Sequence, residues 1–112
     1  MKGNIITVLA ALTCAAFFAC HTTARAQDAN SIVQSGRAFH PNEITIAHGT
    51  TLSFYNQDDF IHQIYVDSPN FDYDSEEQEP GAPPMHITFP KPGTYFIRCH
   101  IHPKMLLTVH VK

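Results

Sequence analysis

The sequence predicts an all-β domain, an antiparallel β-sandwich of about seven to eight strands. Three observations carry this. Short runs of period-2 patterning recur, as in Thr50 to Tyr55, where Leu52 and Phe54 share a face. Turn signals separate these runs at close spacing: His48-Gly49, Asn56-Gln57-Asp58-Asp59 and Lys91-Pro92-Gly93. No apolar pattern of helical period follows residue 27.

The start of the chain is of another kind. Met1 and Lys2 are a short positive start, and Ile5 to Cys20 form an apolar run broken only by Thr7 and Thr13. Ala24-Arg25-Ala26 is a small-x-small site before Gln27. Together they read as a secretory signal peptide over residues 1–26, with a single domain at 27–112 exported to the periplasm. A membrane anchor is the first alternative. The apolar run is shorter than the ~20 residues that a spanning helix needs, and no stop-transfer flank follows. A lipid anchor on Cys20 is the second; Phe17-Phe18-Ala19 before it lacks the usual leucine.

In order, Ser31 to Ser35 reads as a first strand around Ile32-Val33, and Phe39 to Asn42 as a turn with one apolar anchor. Glu43 to Ala47 alternates with Ile44 and Ile46 on one face, and Thr50 to Tyr55 alternates again. Phe60 to Asp67 reads as the next strand, with His62, Ile64 and Val66 on one face. Ser68 to Pro84, rich in proline and acids, reads as a long surface loop with room for one helical turn. Met85 to Phe89 resumes as a strand. Thr94 to Cys99 puts Tyr95, Ile97 and Cys99 on one face, and Met105, Leu107, Val109 and Val111 share a face to the end.

Charge narrows the function classes. The domain keeps five cations, Arg37, Lys91, Arg98, Lys104 and Lys112, against all ten acids of the chain. Its net charge is then −5, which argues against nucleic acid and against anionic membrane surfaces. Cysteine usage is more specific. Cys14 and Cys20 fall in the signal segment, so Cys99 is left alone in an exported domain. A lone thiol in an oxidising compartment is a liability unless it is a ligand or pairs between chains.

Cys99 opens the stretch Cys99-His100-Ile101-His102-Pro103-Lys104-Met105. Its C-x-x-H-x-x-M spacing offers a thiolate, an imidazole and a thioether in one tight loop. A His₂Cys trigonal site with a long axial Met is the arrangement of copper electron-transfer sites. The inward parity of His62, Cys99 and Met105 brings a second imidazole to the same end of the sandwich. His100 has the opposite parity to Cys99 and points away. Met105 taken alone would read as core packing. His40, His48, His86 and His110 read as solvated side chains, with a second, weaker metal site from some of them as the alternative. Phe60, Ile61 and Pro103 flank the ligand candidates, either as an apolar rim or as a cap on the sandwich end.

On these residues the chain resembles the small type 1 copper proteins of the cupredoxin superfamily, in the plastocyanin, pseudoazurin and amicyanin group. Its ligand loop is most similar to that of amicyanin. The resemblance runs over residues 37 to 112 and includes Phe39-x-Pro41, Gly49, Asn56, His62, Pro92-Gly93-x-Tyr95 and the ligand loop. It implies a Greek-key sandwich, a single copper ion, and ligand roles for His62, Cys99, His102 and Met105. It also implies a monomeric one-electron carrier between a redox donor and acceptor, with the His102 edge as the electron port and no enzymatic activity. A copper-handling protein on the same fold is the alternative. Two positions depart from the pattern: Gln63 stands where the family usually has Asn, and His100 where it has Ser or Thr. Those positions normally tie the two ligand loops together. Asp72, Asp74, Glu76, Glu77 and Glu79 form an acidic loop, either solvated surface or a docking patch for a basic partner.

Overall fold

The computed structural model describes residues 28–112, with Gly3, Ala15 and Ala16 besides. Those three positions apart, the expected signal segment lies outside the described residues. Among the described residues the chain forms nine strands and no helix. They are β1 (Ser31–Ser35), β2 (Ala38–His40), β3 (Glu43–Ile46), β4 (Thr51–Asn56) and β5 (Ile64–Asp67), then β6 (Tyr73–Asp74), β7 (Met85–Thr88), β8 (Gly93–Cys99) and β9 (Leu106–Val111).

Two sheets face each other, ordered β2-β1-β4-β7 and β3-β9-β8-β5-β6. Both are mixed rather than purely antiparallel, because β1 runs parallel to β4 and β3 parallel to β9. Period-2 patterning marks which face of a strand is buried and carries no information about strand direction. The core is the layer between the sheets. Ile32, Leu52, Phe54, Phe89, Ile97, Leu107 and Val109 are each fully buried there, and Phe39 meets Phe54 edge-on at 6.2 Å.

Two strands lie where loops were expected. β2 forms because Gly36-Arg37 make a two-residue hairpin turn, with φ of 63° and 56°. Positive φ at both central positions is the type I′ turn, whose twist suits paired strands. Gly36 adopts it freely; Arg37 does not, and a left-handed non-glycine residue costs about 1–3 kcal/mol. Asp58 holds this turn, accepting the Gly36 amide at 2.6 Å and the Arg37 amide at 3.2 Å. β6 is a short edge strand on β5 inside the expected acidic loop.

That acidic loop is anchored by a buried amide. Gln78 donates to the Phe54 and Pro83 carbonyls at 3.0 and 3.2 Å and accepts from Gln34 at 2.7 Å. Asn56 donates to the carbonyls of Phe60 and Gln78, both at 2.9 Å. Buried amides usually find partners, and here Gln34, Phe54 and Asn56 fasten the loop to the β2-β1-β4-β7 sheet. Residues 60–63 are consequently not a regular extension of β5. His62 instead makes an isolated bridge to Gln78, with amide-to-carbonyl bonds of 3.1 and 2.7 Å in the two directions.

Candidate metal centre

Three of the predicted ligands converge at one end of the sandwich. Cys99 ends β8, buried and free of any disulfide. His62 precedes β5 and is wholly buried. His102 lies in the loop between β8 and β9, partly exposed. Nδ1 of His62 is 3.6 Å from Cys99 Sγ, and Nδ1 of His102 is 3.8 Å from it. All three donor atoms lie within 4.8 Å of one another. Bonds of about 2.3 Å to sulfur and about 2.0 Å to imidazole nitrogen, at a trigonal angle, put such donors about 3.7 Å apart. The donor set therefore fits one metal ion, and a thiolate with two imidazoles favours copper.

Met105 is buried at the head of β9, and its amide donates to the His102 carbonyl at 3.0 Å. The tight turn thus folds the third and fourth candidates back on each other. His40, His48 and His86 are exposed and His110 half-exposed. Each has a local partner: His40 bonds the Ser35 carbonyl, His48 the Lys112 carbonyl, His86 Ser53, and His110 Glu43. Among the described residues no second group of three metal-ligating side chains forms.

A carboxylate missed in the sequence stands behind His62. Nε2 of His62 donates to Asp58 Oδ2 at 2.8 Å, which turns Nδ1 toward Cys99. The signal that could have found it was the i, i+4 spacing of Asp58 and His62 across a sharp loop. Burial pushes the Asp58 carboxyl up, but the bonds from His62, Gly36 and Arg37 outweigh it and leave the pKa below its ordinary value. His102 is pushed down by burial first, then by the nearby His62 and Arg37, with Asp58 opposing.

The two departures from the family pattern are accommodated by the segment at β6. Gln63 donates to the Ser75 carbonyl at 3.0 Å, and His100 donates from Nε2 to Asp74 at 2.9 Å. The His100 ring also stacks on Tyr65 at 4.1 Å. The two ligand strands are still joined directly, because the His100 amide donates to the Gln63 carbonyl at 2.8 Å. Of the apolar residues flanking the candidates, Phe60 packs on both imidazoles, 5.0 Å from the His102 ring and 5.3 Å from the His62 ring.

Fold and donor set define a small β-sandwich protein that holds one copper ion. The chain belongs to the cupredoxin-like family, whose domain model matches residues 7–109. No curated protein matches it. Among solved structures it is similar to the copper-containing nitrite reductase of Thermus scotoductus SA-01, at 30% identity and a TM-score of 0.65. That match covers 73% of this chain and 22% of the reductase, so the chain spans about a fifth of that enzyme's length. A purple cupredoxin from Nitrosopumilus maritimus matches at 22% identity and a TM-score of 0.64, over 73% of this chain and 98% of that one. A reduced amicyanin variant matches at 19% identity and a TM-score of 0.68, over 80% and 88%. The last two likenesses speak for the fold.

Proposed function

We propose that the protein is an exported, periplasmic one-electron carrier between two redox proteins, with residues 1–26 as its signal peptide. The observation that carries this reading is the convergence of His62, Cys99 and His102 at one buried end of a small rigid sandwich. Met105, buried beside the loop, would supply a fourth, thioether donor to copper. Copper, when bound, supplies the exchange of a single electron between Cu(I) and Cu(II).

The chain's own residues do the rest. His62 is locked by Asp58 on one side and by the Gln78 bridge at its backbone. Cys99 is held in the β8 ladder against β5. A donor set fixed this way changes little between oxidation states, which keeps reorganisation small. Phe60 and the neighbouring apolar side chains exclude water from the buried ligands. His102 alone of the three reaches the surface, and its ring edge is the electron port. With four protein ligands no coordination position is left for a substrate, which favours a carrier over an enzyme. A copper-handling protein would be expected to gather further metal on the histidines outside the site, His40, His48, His86 and His110. Their separate local bonds do not favour it.

The test is the visible spectrum of the copper-loaded mature protein. One copper per chain and an intense cysteinate-to-copper absorption are expected. Cys99→Ser should abolish the band while the far-ultraviolet β signal persists. An unchanged band in that variant would overturn the reading.

A further inference from the structure

The His102 port is bordered by cations on a molecule that is otherwise acidic. Arg37, Ile101, His102, Pro103 and Lys104 line one hollow. Ile101 is 45% exposed there, a large apolar side chain facing solvent. On the other side of His102 the rim is acidic, with Asp59 and Glu79 beside Phe60 and Ile61. Among the described residues neither Arg37 nor Lys104 forms an ion pair, whereas Arg98 on the β8 flank pairs with Asp67 at 3.1 Å.

Arg37 is placed with some deliberation. It sits at φ 56° in a turn position that suits Gly or Asn. An outlier of this kind, held by its surroundings, points toward function. What holds it is Asp58, through the Gly36 and Arg37 amides, and the same carboxylate orients His62. The guanidinium rests on the Phe60 ring at 4.7 Å from its centroid, and that ring packs on His102. The backbone and the ring together fix a cation at the edge of the electron port before any partner arrives.

We propose that Arg37 and Lys104 form an anion-recognition edge beside His102, and that the redox partner meets this face with an apolar surface bearing a carboxylate. The proposal rests on the carrier reading and names the partner's chemistry. An apolar contact around His102 gives close approach, and the two cations select orientation. The acidic side of the rim repels a carboxylate placed the wrong way round. Complementary charge of this kind acts mainly on encounter rate and register.

Hexacyano complexes of charge −3 are suitable probes. Hexacyanochromate(III) is redox-inert and paramagnetic, so it reports where the anion sits without any electron moving. In the metal-free mature protein it should broaden the amide signals of Arg37, Ile101 and Lys104 before those of Lys91 and Lys112. Hexacyanoferrate(III) is the redox probe. One electron leaves the reduced copper site through the His102 ring, the complex becomes hexacyanoferrate(II), and the site becomes oxidised.

Arg37→Gly combined with Lys104→Gln removes both cations, and glycine is at home in the turn. Two charges lost at about 7 Å from a trivalent anion should slow this oxidation on the order of tenfold at 0.1 M salt. Lys91→Gln combined with Lys112→Gln makes the same change in net charge at the far end of β8, about 20 Å away. That pair should slow it by less than about twofold. Equal slowing in the two pairs, or broadening centred on Lys91 and Lys112, would overturn the proposal. Faster reaction with a trivalent cationic oxidant that is lost on neutralising Glu76 and Glu77 would assign docking to the acidic flank instead. A protein that broadens as expected but exchanges no electron with either oxidant would keep the anion edge and remove the carrier reading.

Discussion

His62 donates from Nε2 to Asp58 across 2.8 Å, and the same carboxylate receives the Gly36 and Arg37 amides that close the β1–β2 turn. The side chains are 0% and 8% exposed, so the bond is made out of water. A ligating histidine depends on such a partner for its tautomer, its ring orientation and its basicity. Here the partner also positions a turn of the other sheet, so the metal end of the sandwich is braced across both layers.

Asp58→Ala removes that brace and leaves three donors without an acceptor. Copper affinity should fall by about 10–100-fold. Asp58→Asn keeps an acceptor for the His62 N–H but loses the charge. It should hold copper more nearly as the parent does while raising the reduction potential, because a nearby negative charge favours Cu(II). A competition titration and a redox titration read the two effects separately. Parent-like values in both variants would mean that Asp58 serves the turn alone.

The same carboxylate makes a prediction about acid. Its pKa lies below the ordinary value of 3.8 in the folded, metal-free chain, although burial alone would raise it. The folded state then binds this proton more weakly than the unfolded chain does. Asp58 contributes stability that is present above about pH 3.8 and is lost as pH falls through the folded value. The stability difference between parent and Asp58→Asn should therefore be widest near neutrality and shrink in acid, measured by urea unfolding of the metal-free proteins. A difference constant down to strong acid would place the effect elsewhere.

Much of this was legible because burial and chemistry wrote the same pattern. The parity of Tyr95, Ile97 and Cys99 put the thiol inward, and all three are buried. His62, Ile64 and Val66 share the buried face as expected, although His62 lies before β5 rather than within it. The seams of the fold were less visible. Strand direction leaves no trace in alternation, so the parallel β1–β4 and β3–β9 pairs could not be read. Gln78 sits among acids and prolines and looks like surface, yet it is 2% exposed and fastens that stretch to His62. Its burial depends on the Gln34 side chain and the Phe54 carbonyl, which come from distant parts of the chain, with the nearby Pro83 carbonyl besides. Asp58 was hidden for the same reason. A polar loop residue reads as solvated until the fold supplies donors for it.

Met105 separates packing from ligation. It is 1% exposed, so any change there meets the core. Met105→Leu conserves volume, and such swaps usually cost less than about 1.5 kcal/mol. If Met105 is the axial ligand, this variant should stay folded and bind copper with a raised potential. Met105→Gln should lower the potential, because an oxygen donor favours Cu(II). Opposite shifts in the two variants identify a ligand. If neither redox titration moves, Met105 is core alone.

His100 tests what joins the two ligand strands. The family's Ser or Thr at this position would reach across to the other ligand loop, but His100 turns to Asp74 and stacks on Tyr65. The join that remains is between backbones, from the His100 amide to the Gln63 carbonyl at 2.8 Å. A side-chain change leaves that bond in place. The ring itself is 42% exposed and its partner Asp74 62% exposed, so their ion pair is worth little, about 0–1 kcal/mol when the histidine is charged. His100→Ser should therefore alter global stability by less than about 1 kcal/mol and leave copper affinity within about threefold of the parent. Its effect should be local: faster amide exchange at Tyr73 and Asp74, because β6 pairs with β5 over two residue pairs only and loses an anchor. Hydrogen exchange followed by mass spectrometry, together with a copper competition titration, measures both. A large loss of copper affinity with β6 exchange unchanged would mean that the His100 side chain, rather than its backbone, holds Cys99 in place.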